Sequence, residues 1–374
     1  MTKYRQNYLF LCFFLLSTGL FAQTEPVYEV RGNVRDSVTN ETLPFASVFF
    51  SGTTFGTTSD KDGNFVLKAD TPGTYDLVVS FTGFNTFFTQ VDLNAPSSRE
   101  INVALITDSR LIGGVTVTAK KDQRWRYNLR EFKKIFLGTS ENVSETVIVN
   151  EDILNFDDNT ANRTFEAYAS EPLIIENKAL GYRVTYLLEN FMVFYDYNYS
   201  TFYGFPAFED MTKEGKKPKK KWIRNRNKAY YGSVEHFMRE LYVGNTYDAG
   251  FRVNKAKDIE GMGRVFDSND FLINRIVKPS AEGVRKEFNF KDYLYVTYLE
   301  EQPSPNYRVS RFGKTSQIST GSGQMSWISM ADSTQMVQFE KSGYMVNPLA
   351  IVLEGYWSFE KVADLLPTNY QPNN

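Results

Sequence analysis

Several groups of residues have the type and spacing to do chemistry. In TTSDKDGNFVL, Asp60, Asp62 and Asn64 stand where the first, third and fifth ligands of a calcium loop would be. Such a loop also needs glycine at its sixth place and a bidentate glutamate at its twelfth. Phe65 and Thr71 stand there instead. Asp62-Gly63 suits a tight turn, because glycine accepts positive φ and aspartate tolerates turn geometry. The stretch is therefore read as a turn.

His236 is the chain's single histidine. A zinc peptidase gathers several His and carboxylate ligands on one metal, and a Ser-His-Asp triad would have to use this residue. It falls between Glu235 and Phe237, off the apolar stripe of its predicted helix, and is expected on the surface without a catalytic role. The lone cysteine, Cys12, lies in an N-terminal apolar run and adds no thiol chemistry to the expected mature chain. The adjacent acids Asp157-Asp158 and Glu300-Glu301 could form the carboxylate pair of a glycosidase, although adjacent acids are usually solvated charge. No P-loop pattern occurs, and GMGRVF (261–266) has too few glycines for a dinucleotide fingerprint. No metal or cofactor is implied.

Two consecutive stretches could bind a partner. In FMVFYDYNYSTFYGFPAF, Tyr195, Tyr197 and Tyr199 alternate, which on a strand places them on one face. Tyrosine suits half-wet surfaces such as sugar platforms and partner interfaces. KEGKKPKKKWIRNRNK follows, with Lys216, Lys217, Lys219, Lys220, Lys221, Arg224 and Arg226 among its cations. In an envelope protein such a run would meet lipid headgroup or lipopolysaccharide phosphates rather than nucleic acid. A solvated loop and a tyrosine-bearing core strand are the plainer readings. Facing outward together, the stretches would make one basic-aromatic surface.

The elements that position these residues can be read in order. Lys3 and Arg5 precede an apolar run, Tyr8 to Ala22, that predicts a cleaved export signal over 1–22. The expected location is the periplasm or the outer membrane. The net charge of −2 creates no field for nucleic acid. The 42% hydrophobic share supplies real cores. From 27 to 118, short alternating runs separated by turn clusters predict a β-sandwich. In QRWRYNLREFKKIFLG, Trp125, Leu129, Phe132 and Phe136 mark one face of a linking helix within 119–139, ended by Gly138.

Residues 140–367 read as a larger α+β domain with turns near Asn177 and Asn190. A hairpin is expected to turn at Ala331–Ser333. One helix is capped by Ser233 and buries Val234, Phe237, Met238 and Leu241; another, WSFEKVADLLP, stops at Pro367. Residues 368–374 read as a flexible tail.

The segments G-x-V-x-D, L-P-x-A-S-V, G-T-x-x-G-T-x-S-D-x-D-G-x-F and V-S-x-x-G-F occur here in order. In this the first part resembles the carboxypeptidase regulatory-like domain, which also precedes many TonB-dependent outer-membrane receptors. The resemblance implies a seven-stranded, transthyretin-like or Ig-like β-sandwich without catalytic residues of its own. LIGGVTVTAKK resembles the segment that leads such receptors into their plug, but Gly113-Gly114 replace its acidic residue and no plug or barrel pattern follows. RWRYNLREFKKIFLGTSEN, PLIIENKALGYRVTYLLENF and YYGSVEHFMREL resemble an uncharacterised region found behind the same sandwich in other exported proteins.

The expectation is a mainly β, exported, non-enzymatic envelope protein that contacts an outer-membrane protein or a surface glycan. The alternatives are a polysaccharide- or peptidoglycan-acting hydrolase with an Asp/Glu pair, and a carbohydrate-binding module that would need the three tyrosines on one plane.

Overall fold

Alternating strands and the turns between them build the first part as two facing sheets. The computed structural model describes residues 27–108, 122–159, 161–197, 199–311, 314–317 and 323–372. The expected export signal and the Leu111–Lys121 segment lie outside the described residues. The strands are β1 (Tyr28–Asp36), β2 (Ser47–Phe50), β3 (Gly56–Thr58), β4 (Asn64–Ala69), β5 (Thr74–Ser80), β6 (Phe87–Asp92), β7 (Ser97–Glu100) and β8 (Val103–Leu105). One sheet has the order β4-β1-β7 with β8 also on β1, and the other β3-β2-β5-β6. β7 and β8 are successive pieces of one edge, both parallel to β1. Counted together they give the seven positions expected of the sandwich. The break falls at Gly32, where a Cβ would lie 1.8 Å from the Ile101 carbonyl oxygen. Alternation places Phe65, Leu67 and Ala69 of β4 in the core with Val30 and Val34 of β1.

The Asp60–Gly63 turn links β3 to β4, which lie in different sheets, so it is a crossing rather than a hairpin tip. The Asp60 carboxylate accepts the backbone N–H groups of Asp62 and Asn64 at 2.9 and 2.8 Å. Gly63 sits at φ +77°, as such a turn requires.

Helix α1 (Gln123–Phe136) begins at Asp122, whose carboxylate accepts the Trp125 N–H at 2.8 Å. Leu129, Phe132 and Phe136 are buried. They pack against a six-stranded sheet of β9 (Thr146–Ile148), β10 (Leu154–Asn159), β11 (Thr164–Ala169), β12 (Leu173–Asn177), β13 (Tyr182–Phe194) and β14 (Tyr199–Asp210). The helix thus belongs to a core rather than serving only as a link. β11 and β12 pair with opposite ends of β13, while β14 pairs with it along its length. The turn expected near Asn190 is absent: Asn190 lies inside β13, at a register shift that begins at Leu188. The turn after Asn177 is present.

Helices α2 (Lys220–Tyr230) and α3 (Val234–Val243) lead to a second core. α3 is capped by Ser233 and buries Phe237, Met238 and Leu241. The remaining strands are β15 (Phe251–Ile259), β16 (Gly263–Phe266), β17 (Lys278–Pro279), β18 (Lys286–Phe288), β19 (Tyr293–Tyr298), β20 (Arg308–Arg311), β21 (Lys314–Gln317), β22 (Gln324–Met330), β23 (Val337–Phe339) and β24 (Ile351–Gly355). β16-β15-β19-β22-β24 form one sheet and β17-β18-β23 another. β22 and β23 lie in different sheets, so the expected hairpin at Ala331–Ser333 is a turn between sheets. The last predicted helix is two short pieces, α4 (Tyr356–Phe359) and a 3-10 turn at Val362–Asp364. The region read as one α+β unit therefore holds two separate cores.

The sandwich is joined to the rest along an extended seam. Gly52 N–H donates to the Pro206 carbonyl at 2.6 Å, and Phe208 N–H donates to Thr53 at 2.9 Å. Phe49 and Val78 pack on Leu187, and Phe88 lies 4.9 Å from Phe205. On another side Glu340, 3% exposed, accepts the Thr74 N–H at 2.9 Å and the Thr74 hydroxyl at 2.5 Å. It also accepts Arg285 Nε at 3.1 Å and Asn94 at 3.3 Å. The expected flexible tail is docked as far as it is described. Thr368 N–H donates to Gly52 at 2.7 Å, Arg239 donates to the carbonyls of Thr368 and Tyr370, and Tyr370 is buried.

Candidate interaction surfaces

Backbone pairing carries the tyrosines and the cations to opposite ends of one hairpin. Tyr195–Tyr197 form the 3-10 turn between β13 and β14, and Tyr199 opens β14. The three tyrosines therefore do not alternate along a strand, and the flat single-face platform expected of them is not formed. All three are exposed, Tyr197 to 81%. The Tyr199 ring stacks on Phe194 at 6.2 Å, and Arg163 pairs with Asp196 beneath the turn. Burial, then the neighbouring charges of Asp158 and Glu131 together with Tyr127, raise the Tyr195 hydroxyl above its usual pKa. Tyr127, on α1, is also exposed. The tip is thus an aromatic cluster interleaved with carboxylates.

β14 runs twelve residues from Tyr199 to Asp210, roughly 35–40 Å at the usual strand rise. The basic stretch follows that far end, so the single basic-aromatic surface does not exist. Nor is the basic stretch only a loop. Lys216 and Lys217 lie exposed in the turn before α2, whereas Lys220 to Lys228 are helical. Lys219 places its ammonium 4.6 Å from the Trp222 ring centroid. Lys221 pairs with Glu145 at 2.5 Å, and Lys228 with Glu141 at 3.5 Å.

Arg226 is no surface residue: it is 4% exposed. It donates to the carbonyls of Leu180 at 2.7 Å and Gly181 at 3.1 Å, and to Asp210 Oδ2 at 2.9 Å. Its guanidinium lies 3.9 Å from the Tyr182 ring centroid. Burial works against the Asp210 charge, but the hydrogen bonds from Arg226 and Thr212 outweigh it and hold that carboxyl below its usual range. Gly181 is needed beside it, because a Cβ there would lie 2.2 Å from the Trp222 ring. Arg226 and Trp222 together pin α2 to the start of β13.

What α2 leaves outward is a stripe of Lys220, Arg224 and Lys228 over an open groove of about 590 Å³, with Asn227 and Glu301 on its walls. Burial outweighs the opposing effects of Lys228 and the Gln324 amide and pushes Glu301 up to about 7. Burial and the charges of Asp364 and Glu301 raise Glu360 well above the carboxylate range. Asp364 is raised too, mainly by burial, although Ser140 and Asn142 donate to it at 2.7 and 2.9 Å.

Of these clustered acids only Glu301 is singled out in the sequence, as the neighbour of Glu300; Glu360 and Asp364 lie far along the chain from it. The adjacent pairs that were singled out do not act as pairs. Asp157 and Asp158 are consecutive on β10 and point to opposite faces. Glu300 lies exposed against Gly250, away from the Glu301 groove.

His236 is buried, 4% exposed, among Tyr230, Tyr231, Phe251 and Tyr298. Its Nδ1 accepts the Gly232 N–H at 3.1 Å. Burial, then Arg239, lowers its pKa to about 4. The expected surface histidine is a neutral core residue, because α3 is enclosed on more than its apolar stripe.

Residues 30–117 match the family model described as CarboxypepD_reg-like domain. The match takes in the sandwich and is confined to this first part of the chain. Part of the chain is also 32% identical, over 114 residues, to the TonB-dependent receptor SusC of Bacteroides thetaiotaomicron. That match covers 30% of this chain, and the chain spans 10% of the receptor. Among solved structures, a putative carbohydrate binding protein from Bacteroides uniformis is 11% identical over 41% of this chain and 55% of its own, with TM-score 0.18. A DUF3823 family protein from Parabacteroides merdae is 14% identical over 49% and 78%, with TM-score 0.17. Scores this low carry no argument. The regulatory-like domain supplies the sandwich half of the seam and none of the groove acids.

Proposed function

We propose that this chain is an exported, non-enzymatic accessory protein of the cell envelope, and that it holds an outer-membrane protein or a surface glycan at the tyrosine tip. The observation that carries this reading is the exposure of Tyr195, Tyr197 and Tyr199 at the end of a long hairpin, where their side chains have little core to fill. Aromatic side chains so placed give large contact area at low entropic cost. The match of the N-terminal region to part of a TonB-dependent receptor supports an envelope setting. The seam makes the regulatory-like domain and the rest one body, so a partner held by one is positioned by both.

The test is a pull-down of the tagged protein from detergent-solubilised envelope, with mass spectrometry of the eluate. A stoichiometric partner that is an outer-membrane protein, or retention on an envelope glycan, supports the reading. Elution alone with turnover of a glycan overturns it.

A second reading is favoured by the Glu301 groove. A carboxyl titrating near neutrality beside other half-buried acids is the pattern of a general acid. This would make the chain a polysaccharide- or peptidoglycan-acting hydrolase. Loss of glycan turnover in Glu301→Gln, with the fold kept, would establish it.

A further inference from the structure

We propose that the open end of the second core binds an amphiphilic carboxylate, an unbranched apolar chain with one acidic head. The cleft there holds about 560 Å³, within the range of small-molecule sites. It forms because three segments meet without closing: the β15–β16 hairpin, the stretch after β16, and the residues leading into β19. Phe271, Ile276, Phe290 and Leu294 make its walls. Phe290 and Leu294 are themselves buried members of the second core. The floor is therefore continuous apolar packing, and a chain lying on it removes water from apolar surface on both partners.

The mouth selects the head. Lys255, Lys257 and Lys291 line it against Asp267 and Asp292. Asp267 is engaged in its own turn, accepting the Asn269 backbone and side-chain N–H groups at 2.9 Å each. Lys257 and Lys291 have no ion-pair partner among the described residues. Lys255 holds its ammonium 4.4 Å from the Phe271 ring centroid, directly over the wall. Three lysines against two aspartates leave one positive charge in excess, which favours a carboxylate over an amine or a neutral head.

Val265 and Phe266 on the cleft's rim, and Met262 and Leu272 beyond it, leave apolar surface in water, Met262 to 76%. That surface gives an amphiphile a landing zone next to the entrance. This inference is independent of the tyrosine tip, which belongs to a different sheet.

The test is calorimetric titration of the purified full chain with hexanoate, octanoate and decanoate, each below its micelle concentration. Every added methylene should tighten binding about fourfold until the cleft is full. Decanol should bind at least about tenfold more weakly than decanoate, and so should decanoate to the doubly substituted Lys257→Gln, Lys291→Gln chain. Both substitutions are on the exposed rim, so folding is kept. As a second variant, Val265→Trp fills the cleft from its exposed edge and should abolish the chain-length gain. Equal affinity for decanol and decanoate, no chain-length dependence, or no heat at concentrations on the order of 1 mM would each overturn the proposal. So would binding to anionic vesicles without any to monomeric carboxylates, which would make the hairpin a membrane-interface surface instead.

Discussion

Replacing Glu340 by alanine should loosen the seam between the regulatory-like domain and the rest. Glu340 is contributed by the C-terminal part, while Thr74 and Asn94 belong to the sandwich. Truncation removes the acceptor for the Thr74 N–H and hydroxyl and for Arg285 Nε at once. Arg285 keeps its hydrogen bond to the Thr74 hydroxyl at 2.8 Å and longer ion pairs, 3.8 Å to Asp92 and 3.7 Å to Glu282. Breaking one partner of a buried charged pair typically costs about 3–5 kcal/mol. The Thr74 amide, left in a buried site, adds about 1–3 kcal/mol unless water enters. Those two contributions would sum to about 4–8 kcal/mol, but Arg285 retains Thr74, Asp92 and Glu282, which lowers the first, so the expected loss is about 3–5 kcal/mol.

Glu340→Gln keeps the size and part of the acceptor capacity and should lose about half as much. The assay is urea unfolding followed by fluorescence, with limited proteolysis of the seam. Coupled domains should unfold together in the wild type and separate in Glu340→Ala, with the sandwich and the rest showing distinct midpoints. A loss below about 1 kcal/mol with coincident transitions would refute the reasoning that this carboxylate clamps the seam.

Arg226→Lys should cost about 2–4 kcal/mol in thermal unfolding, since lysine cannot reproduce the fork to Asp210 and two carbonyls or the stack on Tyr182; a change under about 0.5 kcal/mol would contradict its anchoring role. Burial depresses the folded pKa of His236 to about 4 from its ordinary value of 6.5, so the unfolded chain binds more protons between these values. Stability should therefore fall as pH drops from about 6.5 towards 4, by at most about 3 kcal/mol. Denaturation curves of His236→Gln across that window should lose this component, and an unchanged slope would show that other groups carry it. Gly181→Ala should destabilise through both positive φ, +74°, and collision with Trp222, and near-wild-type melting would show that α2 is free to move.

The sandwich was legible because its information is local. Alternation in NFVLKA and the Asp62-Gly63 turn each act over a few residues, and the ordered motifs repeat that signal. The same holds for α1 and α3, where the apolar spacing of both and the Ser233 cap of α3 lie within one element. The candidate surface was less legible because its geometry is set by pairing across distance. Adjacent stretches separated once β13 and β14 zipped together, which sent the tyrosines one way and the cations the other. Arg226 reads as one more cation in a basic run, yet Asp210, Leu180 and Gly181 enclose it. Glu301, Glu360 and Asp364 are dispersed in sequence and meet only through the return of the C-terminal segment. That segment reads as a loose tail because its anchors, Gly52, Asn227 and Arg239, are remote.

The account rests most heavily on the tyrosine tip as the recognition surface. Its most direct test is quantitative capture of envelope components by the wild-type chain and by one carrying Tyr195→Ser, Tyr197→Ser and Tyr199→Ser, with melting temperatures measured alongside. The prediction is unchanged melting and partner affinity lowered at least about thirtyfold, as expected when even one exposed aromatic anchor is lost. Capture of the same partner with undiminished affinity by the altered tip would contradict it.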